Sequence, residues 1–264
     1  MQTKIVKLII LGVTLALISA LNNLLLVGES QTADGNESLL TYNDTTYGIN
    51  IQYPSDWEID QSAHEYLLAI LQNLTSESQV TNDSQTNAIK SKVSDILNAF
   101  GLGSISDIAG LSPDKRDVLL QTLSQGLNEG QAHVIVSIRS PLEGETDPWS
   151  EGMNIVVENL SAVSPDPVSL KDYVDANIET ISKVSQNFKL EQPATEITID
   201  GTPAMTFAYT STSPFDTSLT GKILNVIEMK GNTGYVLTFS SNPESYPSYL
   251  PTFEKMFQSF KIHN

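Results

Sequence analysis

Residues 42–60 read YNDTTYGINIQYPSDWEID, and the alternation within this stretch decides the fold. Four large apolar residues, Tyr47, Ile49, Ile51 and Tyr53, occur at every second position, separated by small or polar residues. Because successive side chains of a strand point to opposite faces, this spacing predicts a strand with one buried face. The stretch therefore forms the first edge of a hydrophobic core.

A proline turn follows that strand and leads into a second short strand. The turn is Pro54-Ser55-Asp56, and Trp57 and Ile59 are expected to extend the buried face beyond it. We expect the chain before residue 61 and the chain after residue 130 to form a single twisted sheet wrapped by two helices.

The composition excludes several classes of protein. The chain has 264 residues, of which 40% are hydrophobic, enough to bury a sizeable core. Its net charge of −17 argues against a nucleic-acid partner and fits a solvated protein or one that docks on a basic surface. The sequence has no cysteine, which excludes a disulfide framework, a thiolate metal site and a cysteine nucleophile.

The first 28 residues predict export. Lys4 and Lys7 precede an apolar run from Leu8 to Ala20, the pattern of a secretory signal. The apolar character resumes up to Val27, so both a cleaved signal peptide and a retained membrane anchor fit. Residues 29–38 are polar and predict a flexible tether. The expected location is extracytoplasmic, with the protein either secreted or tethered by this segment.

Residues 39–264 are interpreted as one domain that is interrupted by a helical insert at residues 61–130. Three amphipathic helices are predicted in the insert from its helical spacing of apolar residues. The insert could act as a lid or docking module over the sheet, or it could simply cover an apolar face. The sequence leaves both interpretations open.

The strand pattern returns after the insert. In residues 132–140, Val134, Val136 and Ile138 are expected on one face and His133 on the other, and a strand with Met153, Ile155 and Val157 is its expected antiparallel neighbour.

Later segments predict a helix at residues 169–184 capped by Ser169, a hairpin turning at Asp200-Gly201, a second strand pair and an aromatic terminal helix. The fold class is α+β, with a mostly antiparallel β-sheet sandwiched between helices.

Four segments together resemble the PsbP-like family, named for an extrinsic subunit of the photosystem II oxygen-evolving complex. They are TYGINIQYPSDWEI, ITIDGTPAMTFAYT, GYVLTFSS and FEKMFQSFKI. The resemblance implies an α/β/α sandwich and a non-enzymatic, extracytoplasmic protein that supports a membrane complex. In photosynthetic members it further implies membrane association and help in retaining calcium and chloride. The insert departs from the family pattern, and no ion ligand of the family can be placed on this sequence.

Candidate site residues are few. An acidic turn gathers potential calcium ligands, although its spacing matches no EF-hand loop: Glu143, Glu145, Asp147 and Glu151. Five N-x-S/T sequons are glycosylation candidates: Asn36, Asn43, Asn73, Asn82 and Asn159. The three histidines, His64, His133 and His263, form no recognised metal or catalytic motif.

The sequence therefore predicts a non-enzymatic PsbP-like protein with no cofactor. It would bind a protein partner in the cell envelope or stabilise a complex at the membrane surface. Two alternatives remain: a hydrolase with the insert as a lid over a carboxylate-lined pocket, and a calcium-dependent binding module.

Overall fold

The structure, a computed structural model, describes residues 38–60, 132–141, 151–162, 164, 166–185, 187–212 and 220–263. The predicted signal or anchor and the helical insert lie outside these residues. The strands are β1 (Leu39–Asp44), β2 (Ile49–Pro54), β3 (Glu58–Asp60), β4 (Ala132–Arg139), β5 (Gly152–Asn159), β6 (Lys189–Ile199), β7 (Thr202–Thr212), β8 (Thr220–Lys230), β9 (Thr233–Ser241) and β10 (Lys261–Ile262). Two α-helices, α1 (Leu170–Val184) and α2 (Tyr246–Gln258), and a 3₁₀ turn at Leu160–Ala162 complete the described elements.

The predicted α+β class is confirmed. Seven strands form an antiparallel sheet in the order β3-β4-β5-β9-β8-β7-β6. Residues of α1 pack against one face of this sheet and residues of α2 against the other. The sheet is therefore buried on both sides.

The prediction of a single sheet is wrong, because the stretch at residues 42–60 divides between two sheets. Strand β2 pairs with β1 and β10 in a separate three-stranded sheet, whereas β3 pairs with β4 in the large one. The turn between them, in which the Trp57 amide donates to the Pro54 carbonyl at 3.1 Å, redirects the chain. The N-terminal strand still ladders with the C-terminal end, since Asn50 lies opposite Lys261.

Two details of the predicted strands also differ. Ile59 is 37% exposed, because the short edge strand β3 turns it away from the core that Trp57 enters. In β4, a bulge between Val134 and Val136 changes the alternation, so that Ile135, Val136 and Ile138 all join one core cluster.

Local chemistry fixes the elements that the sequence predicts best. The Ser169 hydroxyl caps α1 by accepting the Asp172 amide at 3.1 Å. Asp200 and Gly201 both adopt positive φ angles, 46° and 84°, which a tight two-residue hairpin requires. The helix and the hairpin are thus specified by residues within them.

Aromatic rings attach α2 to the large sheet. The ring centroids of Phe253 on α2 and Phe239 on β9 are 4.7 Å apart, and Trp57 meets Phe253 edge-on at 6.1 Å. Ile49 and Ile51 of β2 belong to the same cluster. This cluster unites the two sheets and α2 in one core. Within the described residues, no helix has the length and apolar character needed to cross a membrane.

We expect Phe253→Ala to lower the free energy of unfolding by about 3–5 kcal/mol, because it removes a fully buried ring from the centre of this cluster. Phe257→Ala is the matched control on the same helix, since Phe257 is only partly buried and meets Phe239 at 6.2 Å. Urea denaturation of both variants would measure the difference. Equal losses would contradict the central position of Phe253.

Candidate binding site

A row of buried polar side chains crosses the sheet on the face that α1 covers. Asn154 on β5 lies directly opposite Thr238 on β9, and Thr238 lies opposite Asn225 on β8. Ser240 follows two residues further along β9 on the same face. We call these four residues, none more than 1% exposed, the polar row.

Strand alternation places the polar row. In β5, Met153 and Ile155 point into the cluster beneath α2, so Asn154 between them points to the other face. In β9, Leu237 and Phe239 also point into this cluster, so Thr238 between them points to the other face. Neighbouring side chains in such a register have Cβ atoms about 5 Å apart. The row therefore spans three adjacent strands as one continuous polar strip.

Most of the hydrogen-bonding capacity of the polar row is unused. The Thr238 hydroxyl donates to Asn225 Oδ1 at 2.9 Å, which leaves the Asn225 Nδ2 donor. Among the described residues, this Nδ2, both amide atoms of Asn154 and the Ser240 hydroxyl have no partner. Each buried polar group without a partner costs about 1–3 kcal/mol. The polar row therefore lowers the stability of the fold if it serves packing alone.

A buried acid, Glu158, lies on the same face at the far end of β5. The Tyr173 hydroxyl from α1 donates to Glu158 Oε2, while Oε1 has no partner among the described residues. Burial raises the pKa of Glu158 to about 8, although the hydrogen bond from Tyr173 acts in the opposite direction. A Cβ at Gly234 would lie 2.6 Å from the Tyr173 ring, so only glycine allows this ring to reach the acid.

The pair of Glu158 and Tyr173 is separate from the polar row. Glu158 follows Asn154 by four residues, about 13 Å along a strand, and the side chain of Val156 lies between them on the same face. The acid therefore does not face the free amide of Asn154.

Glu151 is the one calcium candidate that falls within the described residues, and hydroxyl groups surround it. Ser245 at the start of α2 donates to Oε1 at 2.5 Å, and Ser241 donates to the same oxygen at 3.4 Å. Ser140 donates to Oε2 at 3.4 Å and accepts the Glu151 amide at 3.0 Å. This carboxylate thus links β4, β5 and β9 to α2. The other three candidates, Glu143, Glu145 and Asp147, lie outside the described residues, so calcium binding stays a prediction.

The buried carboxylates do not converge on one site. Glu151, just before β5, and Glu158 are seven positions apart, about 23 Å along an extended strand. Glu228 on β8, whose pKa burial raises to about 7, is opposite Tyr235 on the α2 face of the sheet. No group of three histidine or acidic side chains within the described ranges could hold a metal ion. Each carboxylate therefore has its own environment.

The two described histidines occupy different places. The ring of His133 lies against Tyr47, with centroids 5.4 Å apart, and burial lowers its pKa while nearby Asp44 opposes this change. Asn50 Nδ2 donates to His263 Nε2 at 2.5 Å beyond β10. His64 lies outside the described residues. The two described histidines therefore have different side-chain partners, Tyr47 and Asn50.

Two glycosylation candidates are described, and both are exposed. Asn43 lies on β1 opposite Asn50, and Asn159 ends β5, where its Oδ1 accepts the Ser161 amide at 3.1 Å. The remaining sequons, Asn36, Asn73 and Asn82, lie outside the described residues.

Strand β1 lies at a sheet edge that no other described strand pairs with. Its register with β2 is continuous over six residues, and it contains no proline. Leu39 and Leu40 are 43% and 46% exposed. The other described edges are protected, because β3 and β10 are very short and β6 has two register shifts and Pro193.

Sequence reasoning missed the polar row and the pair of Glu158 and Tyr173. The available signal was two polar residues on one face of β5, Asn154 and Glu158, in a sheet that helices were expected to cover on both faces. Such residues must be buried rather than solvated.

Among known proteins, only solved structures resemble this chain in the comparisons made by family model, curated sequence and structure. No protein-family model matches the sequence, and no curated protein matches it. Cyanobacterial PsbP (CyanoP) from Synechocystis is 14% identical, with a TM-score of 0.43 over 89% of this chain and 98% of that chain. The yeast Ran-binding protein Mog1p is 9% identical, with a TM-score of 0.41 over 86% of this chain and 96% of that chain.

LpqN, involved in cell envelope biogenesis of Mycobacterium tuberculosis, is 8% identical, with a TM-score of 0.36 over 51% of this chain and 79% of that chain. None of these structures assigns the chain to a family.

We expect Glu158→Gln to remove a pH dependence of stability. The folded-state pKa of about 8 exceeds the usual 4.5, so the neutral acid favours folding below pH 4.5 and this stability is lost as pH rises towards 8. The amide keeps an acceptor for Tyr173 and cannot ionise. At pH 4 the two proteins should differ little, and at pH 8 the variant should be more stable by about 4 kcal/mol.

Urea denaturation between pH 4 and pH 9 would measure this difference. Glu228→Gln is the control. The pKa of Glu228 is about 7, so its ionisation should change the free energy of unfolding by less, and at a lower pH, than that of Glu158. A constant difference between wild type and Glu158→Gln across the range would contradict the assigned shift.

Proposed function

We propose that this chain is a non-catalytic binding module that acts outside the cytoplasm and docks a protein partner of the cell envelope. The observation that carries the proposal is the open edge of β1, whose continuous, proline-free register and exposed Leu39 and Leu40 contrast with the protected edges elsewhere. An extended segment of another protein can add to such an edge as a further strand.

The chemistry of the partner follows from charge. The chain has a net charge of −17, so a segment with basic flanks would be attracted and orientated by the surface. Main-chain hydrogen bonds along β1 would supply affinity, and apolar side chains of the partner would cover Leu39 and Leu40. The charged N-terminal region followed by an apolar run supports an envelope location.

The polar groups of the described core support a non-catalytic function. Four of the unpartnered polar atoms in this core belong to the carboxamides of Asn154, Asn177 and Asn225, which neither titrate nor attack a substrate, and the others include Glu158 Oε1 and the Ser240 hydroxyl. The hydrolase alternative needs convergent carboxylates, whereas Glu151, Glu158 and Glu228 lie apart. Binding is therefore the better supported function.

Leu40→Lys tests the docking edge, because a lysine on an edge strand opposes the addition of another strand. Leu190→Lys on β6 is the matched control, with a similar exposure of 38% on a protected edge. Immobilised wild type and both variants would capture proteins from solubilised envelopes in mild detergent and low salt, with quantification by mass spectrometry.

We expect at least one protein to be retained by wild type and Leu190→Lys and reduced tenfold or more with Leu40→Lys. Cross-links from that protein should reach β1. If wild type is recovered alone, or if all three forms retain the same proteins equally, the proposed docking edge is wrong.

A further inference from the structure

The two faces of the large sheet are packed by separate sets of side chains. The buried cluster on the α2 side contains Phe253 and Met256 of α2 and, among the side chains that the structure describes, none from α1. Because the strands of the sheet lie between α1 and this cluster, α1 could move away and leave the cluster intact. The buried residues of α1 all belong to the other face: Tyr173, Val174, Asn177, Thr180 and Ile181.

Buried polar groups weaken the contact between α1 and the sheet. Asn177 of α1 is buried, and its Oδ1 has no partner among the described residues. On β8, which α1 contacts, Asn225 Nδ2 is also buried without a described partner. A buried polar group without a hydrogen bond destabilises the state that buries it, and water would bind both groups once α1 separates. Opening of α1 therefore recovers hydrogen bonds that the closed form lacks.

One hydrogen bond fastens the beginning of α1 to the sheet. The Tyr173 hydroxyl donates to Glu158 Oε2 on β5, and both side chains are fully buried. The Tyr173 ring lies so close to Gly234 that an added Cβ would be 2.6 Å from it. A ring packed this tightly has no space in which to turn aside. Glu158 therefore meets water only when α1 moves and takes the ring with it.

No charge among the described residues balances Glu158. It lies opposite Ala132 on β4 and Gly234 on β9, which carry no titratable group. Tyr173 faces it from α1 and stays neutral, because burial and the neighbouring acid raise the pKa of its hydroxyl. The other titratable groups near these positions point to the opposite face of the sheet or lie on the exposed side of α1: His133 and Tyr235, and Lys171, Asp172 and Asp175.

We propose that α1 is a displaceable cover, which separates from the large sheet as a unit while the α2 cluster stays folded, and that the hydrogen bond between Tyr173 and Glu158 is its latch. A rise in pH releases the latch, because an ionised Glu158 without a balancing charge needs the water that only the open form provides. This device lies apart from the β1 edge and does not depend on docking there.

The sign of the pH dependence follows from Glu158. Burial raises its pKa in the closed form from 4.5 to about 8, and contact with water in the open form restores the ordinary value. The neutral acid favours the closed form at low pH, and this advantage is lost as pH rises from 4.5 towards 8. Within this window the equilibrium constant for opening should increase about tenfold per pH unit.

A single engineered thiol can report the opening, because the chain contains no cysteine. Val174→Cys places the thiol on α1, and Val226→Cys is the matched control in the α2 cluster, since both valines are fully buried. The full chain of each variant would react with a maleimide at pH 6, 7 and 8, with labelling followed by mass spectrometry. Division by the rate of a small thiol at the same pH corrects for thiol ionisation.

We expect the thiol of Val174→Cys to react at least tenfold faster at pH 8 than that of Val226→Cys. Its corrected rate should rise about tenfold from pH 6 to pH 7. Adding Glu158→Gln to Val174→Cys should abolish this rise, because the amide still accepts from Tyr173 and cannot ionise. Adding Glu228→Gln, on the other face of the sheet, should leave the rise unchanged.

Two results would overturn the proposal. Equal corrected rates for Val174→Cys and Val226→Cys at every pH would show that α1 does not separate before the rest of the fold. A rise with pH that persists after Glu158→Gln would show that the hydrogen bond to Tyr173 is not the latch.

Discussion

The structure depends on one constraint, which is that the central strands of the large sheet are buried on both faces. Strands β5 and β9 have neighbours on either side and almost no exposed residue between Gly152 and Glu158 or between Gly234 and Ser241. Each face must then find cover from another layer, and a layer that buries a strand also buries every polar residue on it. The two faces meet this requirement differently.

The face beneath α2 is covered by aromatic and aliphatic side chains. Phe239, Phe253 and Trp57 contact one another there, and the buried Glu151 at its margin is bonded to three serine hydroxyls. This side therefore provides stability. The face beneath α1 retains buried amides, a hydroxyl and an acid whose pKa is raised, and several of these groups have no partner among the described residues.

The sequence was informative wherever the determinants of an element are local. The cap at Ser169 and the turn at Asp200-Gly201 depend on residues within a few positions, and both were predictable. The division into two sheets was not, because β10 reaches β2 across more than two hundred residues and has only two paired residues. The bulge in β4 was equally hidden, since an inserted residue looks like ordinary alternation until the partner strand is known.

The candidate site was missed for a related reason. Asn154 and Glu158 lie on one face of β5 with only Val156 between them, and two polar residues on one face suggest solvent exposure until the covering layer is known. By contrast, the candidates that the sequence singled out, such as His133 and Glu151, stood out because of their residue type alone. The structure places them in separate local environments.

The contact between Tyr173 and Gly234 also makes the helix layer observable. Because the ring lies against the strand with no room for even one added methyl group, it cannot rotate by 180° unless α1 moves away from the sheet. Its two sides should therefore give separate aromatic NMR signals that exchange slowly, and the exchange rate reports how often this layer opens. The ring signals of Tyr173 therefore report how often α1 separates from the sheet above the buried amides.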